Sequence, residues 1–159
     1  MVSGECCVPS GLATGRLSDG RCLAGIMAGV MHANEKLIRS FHEAQATGNP
    51  AALMELLADD IVWHVPGRNL LSRDYNGKGE VAGFWARARE LSGGTVRTEL
   101  LDVLASDSHA IALVRVHAER EGRSLGGQFQ AFTYRIEDGK IAEFWFMVED
   151  RYAVDAFWS

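Results

Sequence analysis

The sequence predicts an α+β domain, three helices around one early strand followed by four consecutive antiparallel strands. The first observation is a hairpin over residues 129–148, where Phe-Gln-Ala-Phe-Thr-Tyr-Arg-Ile and Ile-Ala-Glu-Phe-Trp-Phe-Met-Val flank a turn at Asp138-Gly139. Gln130, Phe132, Tyr134 and Ile136 share one face of the first arm, and Ala131, Thr133 and Arg135 the other. In the second arm Ile141, Glu143, Trp145 and Met147 alternate with Ala142, Phe144, Phe146 and Val148. Both faces of that arm are largely apolar, which marks a strand covered on both sides. The second observation is that three more strand-like segments precede this arm in unbroken succession, and the third is that helical periodicity is confined to the region before them. A curved sheet with helices across its concave face leaves a conical cavity.

Residues 1–31 carry Gly, Ser, Cys and scattered charge without periodicity, and they lack the charged start and apolar run of a secretory signal. They read as a flexible N-terminal extension to a domain spanning 32–159, with Met27 and Met31 as alternative starts of the reading frame. Asn34 is placed to cap a first helix with Leu37, Ile38, Phe41, Ala44 and Gln45 on one side, ended by Gly48. Asn49-Pro50 starts a short second helix that buries Leu53, Leu56 and Leu57 and closes at Asp59-Asp60. Ile61 to Val65 follow as a strand stopped by Pro66-Gly67. Residues 68–79 read as a polar loop. From Glu80 a third helix spaces Val81, Phe84, Trp85, Ala88 and Leu91 on one side, with Arg87, Arg89 and Glu90 as a solvated face, and Gly93-Gly94 ends it. Strands follow at 95–104, 110–119 and 125–136, then the second hairpin arm, and the tail 150–158 has room for one or two amphipathic turns.

The net charge of −5 argues against a nucleic-acid or anionic-membrane partner. No apolar run approaches the ~20 residues that span a bilayer. The three cysteines (Cys6, Cys7, Cys22) fall outside every patterned segment, so no disulfide framework is expected and a reducing cytoplasm is the expected compartment. The five histidines show no HxH or HExxH spacing, and no metal site or cofactor is expected. Gly77-Lys78-Gly79 lacks the glycine pattern of a phosphate loop and reads as a turn leading into a helix.

The segment Leu-Leu-Ala-Asp-Asp-Ile-Val-Trp-His-Val-Pro-Gly, the Tyr75-Asn76-Gly77 turn and the Glu-Asp-Gly-Lys-Ile hairpin resemble the nuclear transport factor 2-like (NTF2-like) superfamily. Within it residues 32–158 look most like the SnoaL-like proteins, relatives of polyketide cyclases, ketosteroid isomerases and limonene epoxide hydrolase. The resemblance implies an NTF2-like cone: a strongly curved, mainly antiparallel sheet with three helices over its concave face, enclosing a pocket. It also puts apolar residues where those enzymes carry acid–base groups. Val65 stands at the isomerases' proton-shuttling carboxylate, and Phe41 at their helix-one tyrosine. Phe132 stands at or near the hairpin aspartate shared by isomerases and cyclases, and Phe146 at the last-strand aspartate of the epoxide hydrolase.

The polar groups left near the expected cavity are Arg115 and His117, two apart on one strand face, with Gln128 and Gln130 on the next strand. Arg115-Val116-His117 is similar to the Arg-x-Asp of limonene epoxide hydrolase. An imidazole beside an arginine is biased toward its neutral, basic form. The alternation leaves open which face lines the cavity: Arg115 and His117, or Ala112, Val114, Val116 and Ala118. His64 reads as a packing histidine or a catalytic one, and Trp63 as a core aromatic or a ligand contact. Phe41, Trp63, Val65, Trp85, Gln128, Gln130, Phe132, Phe144 and Phe146 are the candidate substrate-binding residues, with His117 as base and Arg115 as its anion-stabilising partner. The expected function is cofactor-free isomerisation, cyclisation or hydration of a hydrophobic small molecule. The alternatives are a non-catalytic small-molecule binder and a structural dimerisation domain. A homodimer is expected in each case, because Trp145 and Met147 lie on the face the helices leave bare.

Overall fold

In the computed structural model, which describes residues 31–159, the chain runs α1 (Ala33–Ala46), α2 (Pro50–Leu56), β1 (Leu57–Val65), β2 (Arg73–Asn76) and α3 (Gly77–Leu91), then β3 (Arg97–Ala105), β4 (His109–Arg120), β5 (Arg123–Glu137), β6 (Lys140–Val148) and α4 (Arg151–Trp158). The expectation of an N-terminal extension lies outside the described residues. One curved sheet is formed in the order β2-β1-β6-β5-β4-β3. All neighbours are antiparallel except β1 and β6, which run parallel. The second hairpin arm, β6, is therefore central, with β1 and β5 on its flanks. Register shifts interrupt β1, β3, β4 and the β5–β6 pairing, and such bulges bend strands and sharpen their twist.

Local chemistry accounts for most elements. Asn49 caps α2, its Oδ1 accepting from Ala52 N–H at 3.1 Å, with Pro50 at the first helical position. Asp138 and Gly139 at the β5–β6 turn have φ of 49° and 71°, the left-handed pair that a two-residue hairpin needs. Four expectations are corrected. His32, not Asn34, caps α1: its Nδ1 accepts from Asn34 N–H, which frees the Asn34 amide to donate to Ser106 O and Asp107 O. Asp59 and Asp60 do not close α2 but belong to β1, where a bulge between Leu57 and Val62 accommodates them. The polar loop contains β2, because Arg73 to Asn76 pair with Val62 to Val65. Finally α3 begins at Gly77, three residues early, and the tail closes into a two-turn helix α4 capped by Asp150.

The core lies between the helices and the concave face of the sheet. Trp63 of β1 stacks on Phe144 of β6 with centroids 3.6 Å apart, and Phe41 of α1 packs against both Trp63 and Tyr134. Aromatic pairs of this kind add about 0.5–1.5 kcal/mol each beyond area burial.

Candidate functional site: an aromatic cavity inside the sheet

Between the helices and the concave sheet face lies a cavity of about 610 Å³. Its wall is built from alternate residues of the strands, since one face of each strand points inward. Trp63 and Val65 come from β1, Val116 from β4, Gln130 and Phe132 from β5, and Phe146 and Val148 from β6. The helices supply Phe41 and Gln45 from α1, Phe84, Trp85, Ala88 and Arg89 from α3, and Arg151, Val154 and Trp158 from α4. The α4 tail is held there by its C-terminal carbonyls: Arg120 donates to Phe157 O and Ser159 O, and Arg123 to Ala156 O and Ser159 O. Asp155 Oδ1 accepts from the Asn69 side chain at 2.6 Å and from Arg68 N–H at 2.9 Å, tying α4 to the loop before β2.

The wall includes seven of the sequence candidates: Phe41, Trp63, Val65, Trp85, Gln130, Phe132 and Phe146. Phe144 sits one layer behind, fully buried under the Trp63 ring. Gln128 pairs with Val116 across β4 and β5, but it stands outside the cavity wall with its Oε1 buried and unpartnered. Arg115 and His117 are not brought to the cavity. Ala110, Ala112, Val114, Val116 and Ala118 are the buried face of β4, so the odd residues point out of the opposite side of the sheet. The physical reason is volume and charge: α1 packs against β4, which leaves room for alanine and valine and none for a guanidinium. There Arg115 donates to Gly127 O, and the His117 ring covers Gly127, its Cε1 only 2.9 Å from where a Cβ would stand. Gly127 has φ +84°, so the bulge and the absent side chain together make that seat.

Two residues that are not among the sequence candidates belong to the wall: Arg89, expected on a solvated helix face, and Arg151. Arg87 pairs with Glu90 at 2.7 Å on the solvated side of α3, whereas Arg89 turns to the cavity. Its spacing from Trp85 at i+4 is the signal that could have found it. Arg151 joins from α4, and no local pattern points to it.

Two histidines have been set by burial and partners. His42, on α1, is buried with Nε2 3.0 Å from the hydroxyl of Tyr134, which is itself fully buried. Burial lowers the His42 pKa to about 4 and pushes Tyr134 well up, so both are neutral near pH 7. His42 stacks parallel to Phe132 and touches no cavity space of its own. Its place four residues after Ile38 was a legible signal for burial. His64 lies on the outer face, stacked on Trp145, with Nδ1 2.8 Å from Asp74 and Nε2 2.9 Å from Glu143. Partial burial pulls its pKa down, but the hydrogen bonds to Glu143 and Asp74 outweigh it and leave it raised. Only an imidazolium donates through both nitrogens to two carboxylates. Glu143 also accepts from Arg135 at 2.8 Å, and its pKa is lowered by the His64 and Arg135 hydrogen bonds.

The cavity wall can bury a hydrophobic ring system and offer it a few hydrogen bonds. Trp63 Nε1 and Gln45 Oε1 are buried without a protein partner. The wall carries no carboxylate, imidazole, thiol, amine or phenol among the described residues. Nor does any group of three or more His, Cys, Asp or Glu come together among the described residues to ligate a metal. No helix of the described residues is long and apolar enough to cross a membrane.

Residues 38–144 match the SnoaL-like domain family. The chain is 30% identical over 124 residues to an uncharacterised protein of Mycobacterium tuberculosis, covering 77% of this chain and 94% of that one. Among solved structures, Bal32a from a soil-derived mobile gene cassette superposes with a TM-score of 0.77 at 29% identity, covering 81% of this chain and 98% of Bal32a. An NTF2-like protein from Burkholderia xenovorans superposes with a TM-score of 0.68, covering 81% and 99%, and at 18% identity it shares the fold alone. With the match over residues 38–144, the chain belongs to the SnoaL-like domain family, on a six-stranded curved sheet that shares the fold of the NTF2-like protein.

Proposed function

We propose that the protein binds a hydrophobic, ring-bearing small molecule in the concave cavity and holds it without acid–base chemistry of its own. The observation that carries this reading is the composition of the wall. Aromatic and aliphatic side chains surround about 610 Å³, and the described lining residues include no side chain able to exchange a proton near neutral pH. Burial of apolar ligand surface is favourable by about 25 cal/mol per Å², and the Phe41, Trp63, Trp85, Phe132 and Phe146 rings offer faces and edges to stack on. Isomerisation or cyclisation here would need its proton transfer from the substrate or from solvent. That makes binding the better-supported function, and the alternative of His117 as base loses its support with the outward direction of its side chain.

The test is titration with Nile red, a neutral apolar dye whose emission rises on leaving water. Saturable binding by the intact protein, weakened roughly tenfold or more by Ala88→Trp, is the expected result, because the indole would fill the volume beside Trp85. Binding that ignores Ala88→Trp would place the dye elsewhere and reject the cavity as the site.

The same protein is proposed to pair with a second copy through the outer sheet face. In register, Leu104 faces Ile111, Ile111 faces Thr133, and Thr133 faces Trp145, while Leu113, Ala131 and Met147 form the neighbouring row. Leu104 and Met147 are more than half exposed. A continuous apolar stripe of this kind on a sheet supports an isologous contact.

A further inference from the structure

We infer that the ligand of this cavity is amphipathic, an apolar ring system ending in a carboxylate-like anionic group that docks on Arg89 and Arg151 at the mouth. This rests on the binding reading above and names the chemistry of what is bound. The only ionisable side chains in the wall, among the described residues, are these two guanidiniums, in a chain whose net charge is −5. Both are exposed, so they mark the mouth and not the floor. Neither has an ion-pair or side-chain hydrogen-bond partner among the described residues, whereas Arg87 is paired with Glu90 and Asp155 accepts from Asn69 and from Arg68 N–H. The stem of Arg89 passes near the turn after α3: a methyl group added at Gly94 would lie 3.8 Å from its Nε. Arg151 rises from the first turn of α4, the helix that Arg120 and Arg123 fasten to the sheet.

Physical chemistry orders the ligand along the cavity. An ionised group buried among Phe41, Trp63, Phe132 and Phe146 without a counter-charge would cost several kcal/mol. At the mouth it keeps part of its hydration and gains two guanidiniums, each able to present a planar fork to a carboxylate. The apolar end therefore goes in first. Deeper in, Trp63 Nε1 is a buried donor with no protein partner, in a residue of the wall. A carbonyl or ether oxygen on the ring system would meet it after a small adjustment of the indole, so one oxygen substituent on the rings is part of the ligand description.

The experiment compares 6-methoxy-2-naphthoate with its methyl ester, each displacing Nile red from the full chain at pH 7.5. The pair shares its rings and ether oxygen and differs in charge. The expected result is a preference for the anion of about tenfold, falling toward parity in Arg89→Gln/Arg151→Gln and shrinking as salt rises from 20 to 300 mM. Both arginines are exposed, so the variants should keep the wild-type melting temperature, and a Lys/Lys variant should retain part of the preference. Equal affinity for acid and ester in the wild type, or a preference unmoved by the double Gln variant, would overturn the inference while leaving hydrophobic binding intact. If neither compound nor Nile red binds, the binding reading itself fails, and this inference with it.

Discussion

At the residue scale, the two histidines paired by the fold pull stability in opposite directions with pH. The folded pKa of His42 is depressed to about 4, below its ordinary 6.5, so the unfolded chain binds the extra proton first. Stability from this site is present above pH 6.5 and is lost as pH falls toward 4, by about 3 kcal/mol in all. His64 is the reverse case. Its folded pKa is raised, so its contribution is full below 6.5 and lost as pH rises through the folded value. Urea unfolding from pH 4 to 8 should therefore show an acid limb that flattens in His42→Phe and an alkaline decline that flattens in His64→Gln. An acid limb identical in His42→Phe and wild type would show that His42 is not held neutral. Tyr134→Phe should cost about 1–3 kcal/mol at pH 7 by leaving the buried imidazole without its partner.

At the element scale, several signals were local enough to read in the chain. The hairpin at Asp138-Gly139, the Asn49-Pro50 helix start and the Gly93-Gly94 stop each depend on a few residues whose backbone preferences are intrinsic. The start of α1 was misread because Asn34 looks like a cap by type, yet its side chain is taken by a partner 72 residues away. Asn34→Ala is expected to lose about 1–2 kcal/mol by urea denaturation, since two part-buried hydrogen bonds to carbonyls of the β3–β4 turn disappear. A loss no larger than that of an exposed alanine substitution such as Glu43→Ala would reduce Asn34 to a minor contact. Strand β2 escaped notice for a related reason: four residues rich in charge have no period of their own and become a strand by pairing with β1.

At the scale of the whole molecule, the parallel β1–β6 pair places Trp63 beside Phe144 and so closes the aromatic wall between the early helical half and the late strands. Among the described residues nothing covers the other sheet face, and the proposed dimer rests on that. Sedimentation equilibrium at micromolar concentration should give twice the chain mass for the wild type and the monomer mass for Met147→Glu, which puts a charge at the β6 end of the apolar stripe. A monomeric wild type would reject pairing through this face. Dye binding should survive in Met147→Glu, because Met147 lies on the face opposite the cavity.

What the chain determined by itself was its inventory: the α+β order, the central hairpin and the apolar character of Phe41, Val65, Phe132 and Phe146, four residues of the cavity wall. These rest on period, turn chemistry and residue type, which act over a few bonds. Tertiary structure alone decided which face of β4 meets the cavity. Alternation makes Arg115 and His117 equivalent to Val114 and Val116 until α1 packs against one side, and then only the small apolar face fits. It also decided that Arg89 and Arg151, far apart in sequence and on separate helices, line the same cavity, because the tail helix is fastened back onto the sheet through Arg120 and Arg123.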